Sequence, residues 1–370
     1  MHSTIVSVSL IGLSCLSVVS GAPFSFGNNP LGNGFPTVAA GSPQLAAIET
    51  QAHGSLPNAP PPATAPSADS LTSLRLIAFN ELFEVAFFTE LLSNITNHVD
   101  GYEIQDQGSR DFIIKALTAV QAQEELHALN ANNALNHFTN SVVLPCQYDF
   151  PVSNFKDAIA LASTFTDVVL GTLQDVQNLF GVDGDIGLIR GVASVIGQEG
   201  EQNGFYRQIL EEIPSALPFL TTGTREFAFS ALQGFVVPGS CGNLGSIDLQ
   251  IFEPLSVDTP KIQPHSQTLQ FSVTLPSGPQ PGSWKSDFSG LSLTYINQQN
   301  LPVVEKIQNA KKHGKTVTFE ALFPFDDATS GALFGNGLTI AAVTNSSGPF
   351  ANAGLVAKAT VFGPGVIEIN

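Results

Sequence analysis

The sequence predicts an α+β chain in two parts, an antiparallel four-helix bundle followed by an immunoglobulin-like β-sandwich. Three observations carry that expectation. Apolar residues recur at helical spacing in four long segments between residues 69 and 214. After about Cys241 the period changes from 3.6 to 2, with Gly, Pro and Asn between short apolar runs. At 370 residues the chain is long enough for two cores.

In chain order, the first stretch reads as a secretory signal over 1–22. Residues 5–19, IVSVSLIGLSCLSVV, are apolar, and the small residues Ser20, Gly21 and Ala22 follow. The run is too short for a membrane span, and no other segment is apolar enough. The terminal GPGVIEIN lacks the hydrophobic tail of a lipid-anchor signal. Residues 23–66, rich in Pro, Gly, Asn and Ala, are expected to be an extended or disordered leader, with one helical turn in SPQLAAIETQAHG.

The bundle is expected over 67–240. Its first helix, DSLTSLRLIAFNELFEVAFFTELLSNITN, is apolar almost all round and takes Asp69 or Ser70 as cap. The second covers roughly 110–138, the third runs from a Ser153 cap to Gly181, and the fourth from near Asp185 to Pro214. A short fifth helix, TREFAFSALQGF, follows. Four helices of about 25–30 residues with modest connections favour an antiparallel bundle. Gly187, Gly191, Gly197, Gly200 and Gly204 in the fourth imply close helix contact or local irregularity. The sandwich, 241–370, is expected to hold strands in SIDLQIF, TLQFSVTL, GLSLTYIN, KTVTFEALF, LTIAAVTN and LVAKATVF.

Composition narrows the function. A net charge of −17 argues against nucleic acid, and the one locally basic run, KKHGK at 311–315, reads as a hairpin turn. With Cys15 in the signal, Cys146 and Cys241 remain; in a secreted chain an isolated pair forms one disulfide, and neither sits in a metal-type cluster. Sequons at Asn94 and Asn345 mark surface glycosylation positions. The expected location is extracellular or in the cell wall, with no nucleic-acid or membrane partner; a wall polymer or a second copy of the chain is the partner to expect.

The chemistry-bearing step is Glu124-x-x-His127 in AQEELHAL, whose side chains leave a helix on one face. A two-metal site in a four-helix bundle needs a Glu from each of two helices and a Glu-x-x-His pair from each of the others. Glu81, with Glu84 one turn on, lies in the first helix, and Glu199 in the fourth. Carboxylates in such apolar helices require a cation or polar partners. Asp183 and Asp185 resemble a fragment of a calcium loop without its terminal Glu, so helix capping is the better reading. His98, His137, His265 and His313 fall in loops or at helix ends, and Trp284 is read as packing.

LPNAPPP, DSLTSLRLIAFNELFEVAFFTELL and AQEELHALNANNAL resemble the secreted fungal ferritin-like proteins called late sexual development proteins, relatives of plant desiccation-related proteins. The resemblance covers about residues 45–240. It implies a ferritin-like bundle with iron or manganese held by Glu81, Glu124, His127 and Glu199. The Glu implied in the third helix falls at Thr166, and the His implied in the fourth falls at Gln202, so one half-site is intact and the other damaged. Three roles follow: a metal-binding bundle with residual oxidase or peroxidase-like chemistry, a structural wall protein on a degenerate scaffold, or a protectant in sexual development or stress.

Overall fold

The computed structural model describes residues 22–278, 284, 288–326 and 333–370. The signal segment therefore lies outside the described residues, apart from Ala22. Seven helices and eight strands are found among the described residues.

The helices are α1 (Pro43–Gln51), α2 (Ala68–Thr96), α3 (Gln107–Thr139), α4 (Phe155–Asp183), α5 (Ile189–Ile209), α6 (Arg225–Leu232) and α7 (Ala353–Ala359). The connections 97–106 and 184–188 are far shorter than the helices they join, so α2–α3 and α4–α5 fold back as antiparallel pairs. Polar caps fix the starts. Ser67 accepts from the Ser70 amide, Asp106 from Ser109 and Asn154 from Asp157. The caps of α2 and α4 thus differ from the expected Asp69 or Ser70 and Ser153 by one to three residues, because only a residue outside the first turn can reach back to the free amides. Asp183 and Asp185 accept from Ser67, locking the α4 exit against the α2 start.

The bundle core is aromatic. Phe83 makes edge or tilted ring contacts with Tyr148, Phe150, Phe165 and Phe235. This cluster brings α2, α4 and the 140–154 crossover together. Cys146 in that crossover is bonded to Cys241 beyond α6.

The leader docks instead of standing off as an extended or disordered arm, and the helical turn expected in SPQLAAIETQAHG is present as part of α1. It carries a 3-10 turn (Phe26–Asn28) and the nine-residue α1, and it buries Phe26, Phe35, Leu45 and Ile48 in the bundle core. Asn33 donates to Glu125 at 2.7 Å, and Phe24 exchanges backbone hydrogen bonds with Tyr148. Pro and Gly disfavour a packed segment, but the few large apolar residues between them are enough to dock it.

The strands are β1 (Leu255–Val257), β2 (Gln267–Thr274), β3 (Ser292–Asn297), β4 (Val303–Lys306), β5 (Gln308–His313), β6 (Thr316–Phe323), β7 (Gly337–Thr344) and β8 (Thr360–Ile369). They form two antiparallel four-stranded sheets, ordered β1-β2-β6-β5 and β4-β3-β7-β8. Leu269 and Phe271 of the first sheet share a core with Tyr295, Val343 and Phe362 of the second. The basic run ends β5 and turns at Gly314, whose φ is +64°. SIDLQIF forms no strand, and the start of LVAKATVF is helical, capped by Asn352 accepting from Leu355. Trp284 packs on Phe362.

All eight residues of β7 are buried. Its second face packs with Val168 of α4, Phe227 of α6 and Val356 of α7, so the second sheet lies between the first sheet and helices. That covered face explains why LTIAAVTN shows no polar alternation. Among the described residues no helix is long and apolar enough to cross a membrane.

Candidate metal centre

Three helices aim charged groups at one point inside the bundle. Glu81 comes from α2, Glu124 and His127 from successive turns of α3, and Glu199 from α5. One donor atom from each lies within 4.8 Å of all the others. His127 Nδ1 stands 2.9 Å from Glu124 Oε2, 3.4 Å from Glu81 Oε2 and 3.9 Å from Glu199 Oε1. The three carboxylates are 0–1 % exposed.

The arrangement leaves charge unbalanced. Glu81 Oε2 and both oxygens of Glu199 are buried without a hydrogen-bond donor. Burial pushes the Glu81 carboxyl up to about 7, with His127 partly offsetting the rise and Glu124 adding to it. Burial also drives Glu199 well above the usual carboxylate range, helped by Glu124 and Glu81. For His127 burial alone would favour the neutral ring, but the Glu124 and Glu81 carboxylates outweigh it and raise its pKa well above the ordinary value.

Orphaned, buried oxygens around a nitrogen donor are what a cation would relieve. Metal–ligand bonds of about 2.0–2.2 Å place neighbouring donors about 3 Å apart and opposite donors a little over 4 Å apart. The observed spacings bracket that range, so the four residues fit one ion. Three carboxylates, one imidazole and no thiolate suit a divalent cation of hard or borderline character.

Glu84 adds a fourth buried carboxylate, 1 % exposed, with neither oxygen meeting a donor. Burial raises its pKa well above normal, reinforced by Glu199, Glu124 and Glu81. It stands outside the group of four.

The other half of the site is filled by amides. Gln202 Nε2 donates to Glu124 Oε1 at 2.6 Å and to Gln123 Oε1 at 3.2 Å. Gln198 donates to the same Gln123 oxygen, and the Tyr206 hydroxyl donates to Gln202 Oε1. Thr166 is buried on α4 outside the cluster, and neighbouring Asp167 turns away to accept from Asn203 at 3.0 Å. Gln123, Gln198 and Tyr206 were not singled out from the sequence. The i, i+4, i+8 spacing of Gln198, Gln202 and Tyr206 was the available signal. The α5 glycines do not mark helix contact as a group, because a Cβ at Gly191, Gly197 or Gly200 would meet nothing within 4 Å. Asn345 is exposed after β7, and Asn94 is half-buried near the end of α2.

No curated protein matches the chain. Residues 74–212 match the model of the ferritin-like domain, a span that contains Glu81, Glu84, Glu124, His127, Glu199 and Gln202. The helical part of this chain therefore carries a ferritin-like domain, followed by an antiparallel β-sheet region.

Proposed function

We propose that the protein is a secreted ferritin-like protein that holds one transition-metal ion, iron or manganese, between Glu81, Glu124, His127 and Glu199. The observation that carries this reading is the set of buried carboxylate oxygens without donors around His127 Nδ1. Such an ion would supply electron transfer toward dioxygen or peroxide. The chain's own contribution is to hold Glu124 through Gln202 and to keep three carboxylates out of water. Gln202 and Thr166 favour one ion over two. Secretion is supported by the apolar start of the chain and the Cys146–Cys241 bond, and a role in fungal sexual development or stress rests on the resemblance of LPNAPPP and AQEELHALNANNAL.

A second reading, a structural wall protein or protectant with a degenerate site, is favoured by the Gln123–Gln198–Gln202–Tyr206 network, which closes one side with hydrogen bonds alone. Elemental analysis of protein purified without chelators separates the two. About one iron or manganese per chain, lost in Glu124→Ala/His127→Ala, supports the first; no metal in the parent protein overturns it.

A further inference from the structure

A cavity of about 450 Å³ opens beside the cluster, and Glu81 and His127 form part of its wall. The remaining wall is mostly apolar, with Pro61 and Pro62 from the leader, Ala134 and Phe138 from α3 and Val195 from α5, and α3 adds the polar Asn130, Asn133 and His137. Its volume falls within the range of about 300–1,000 Å³ typical of small-molecule sites. The leader is held against α3 at two points, where Asn33 donates to Glu125 and Gln123 Nε2 donates to the Ala52 carbonyl, and within the leader the Leu56 amide donates to Glu49. Gly187 has no side chain where a Cβ would stand 3.2 Å from Pro62 Cγ, which lets the leader close on the α5 start. Gly191 lines the cavity with open space in front of it.

We propose that this cleft binds a neutral, largely apolar organic molecule carrying one hydroxyl, with the hydroxyl directed at Glu81 and His127. The proposal deepens the metal-centre reading and rests on it only for the surroundings of the head group. An anionic head is disfavoured by four buried glutamates and a net charge of −17. A cationic head would meet the His127 ring, whose Nδ1 already faces three carboxylates, and the ion expected there. A hydroxyl suits both states of the site. It meets the Glu81 and part-exposed His127 side chains that line the cleft when no ion is bound, and it offers a lone pair when one is. The proline and Phe138 walls take the apolar body.

The test is a fluorescence titration of the full chain with 1-naphthol, in chelator-treated and manganese-loaded samples. Saturable one-to-one binding is expected in both, with naphthalene, which lacks the hydroxyl, about tenfold weaker. Gly191→Leu fills the open space away from the carboxylates and should abolish binding. Ala134→Phe should do the same from the α3 wall, and melting curves establish that each variant is folded. No saturable 1-naphthol binding in the parent protein, or unchanged binding in both folded variants, overturns the proposal. Metal content is read on the same samples. Naphthol binding without metal uptake sinks the metal reading and leaves the cleft, whereas metal uptake without naphthol binding sinks the cleft alone.

Discussion

The Gln202 amide nitrogen lies 2.6 Å from Glu124 Oε1, and that single hydrogen bond separates the two halves of the bundle site. Glu124 uses its other oxygen on His127, 2.9 Å away. One carboxylate therefore faces an ion-binding side with Oε2 and a hydrogen-bonded side with Oε1. A second ion would have to displace the amide, which is itself anchored by Tyr206 and shares the Gln123 oxygen with Gln198.

Removing that amide should destabilise the protein. Gln202→Leu leaves Glu124 Oε1 and the Gln123 oxygen with fewer donors in a dry interior. The expected loss is about 1–3 kcal/mol, read as a lower denaturant midpoint. Added manganese should recover part of it in Gln202→Leu, since an ion stabilises whichever state binds it. No recovery in Gln202→Leu and none in the parent protein would weigh against any ion at Glu124.

A separate buried cluster sets a pH dependence. Glu368 on β8 is 4 % exposed and neither oxygen has a donor. Burial raises its pKa well above the usual range, Asp167 and Glu212 reinforce the shift, and Arg207 opposes it. Arg207 lies 3.6 Å from Glu212 and donates to the Asn370 side chain, so α5 is tied to the chain end. Asp167 moves in the same direction, from 3.8 to about 6, again mainly through burial. Raised carboxyl pKa values mean that the folded state holds protons the unfolded chain has released. Their stabilisation is complete below the unfolded value and is lost as pH climbs through the folded one. The urea midpoint should therefore fall from pH 5 to pH 8. Glu368→Gln should flatten that slope and raise stability at pH 8 by about 1–3 kcal/mol. An unchanged slope would show that Glu368 ionises without cost.

The disulfide spans a separation of 95 residues and ties the α3–α4 crossover to the segment after α6. Closing so long a loop restricts the unfolded chain strongly. Cys146→Ser/Cys241→Ser should lose about 2–5 kcal/mol, and reduction of the parent protein should lower its midpoint to a similar degree. A midpoint shared by the parent and the double variant would mean that the aromatic crossover packing suffices without the bond.

The helices and the Glu124–His127 step were legible because both follow from local periodicity. Apolar residues at 3.6 spacing define α2 and α4, and i, i+3 spacing puts Glu124 and His127 on one face. Glu81 and Glu199 required a template for a bundle site, since nothing local marks them as converging. Other features lay outside local pattern altogether. The docking of Phe26 and Phe35 depends on a groove made by distant helices. The helical start of LVAKATVF depends on Asn352 supplying a cap within a β-rich region. Glu368 and Asp167 meet across the helix–sheet boundary from positions far apart in sequence, so no spacing could pair them.

Gly171 gives the sharpest sign test of that boundary. In an ordinary exposed helix, Gly→Ala stabilises by up to about 1 kcal/mol through backbone entropy. Gly197 in α5 is such a site, because a Cβ there meets nothing within 4 Å. At Gly171 in α4 a Cβ would overlap the Thr221 carbonyl oxygen and stand 3.1 Å from the Gly223 nitrogen, which donates to the Gly171 carbonyl at 3.2 Å. Thr221 in turn donates to the Leu338 carbonyl of β7, so a shift there would pull on an interior strand of the helix-facing sheet. Backbone on both sides leaves little room to relax. Gly197→Ala should therefore raise the denaturant midpoint, while Gly171→Ala should lower it, with a loss of about 1–3 kcal/mol. Equal small gains in both would mean that the 221–223 segment yields freely, and that the helices and the sheet are not held in register by this contact.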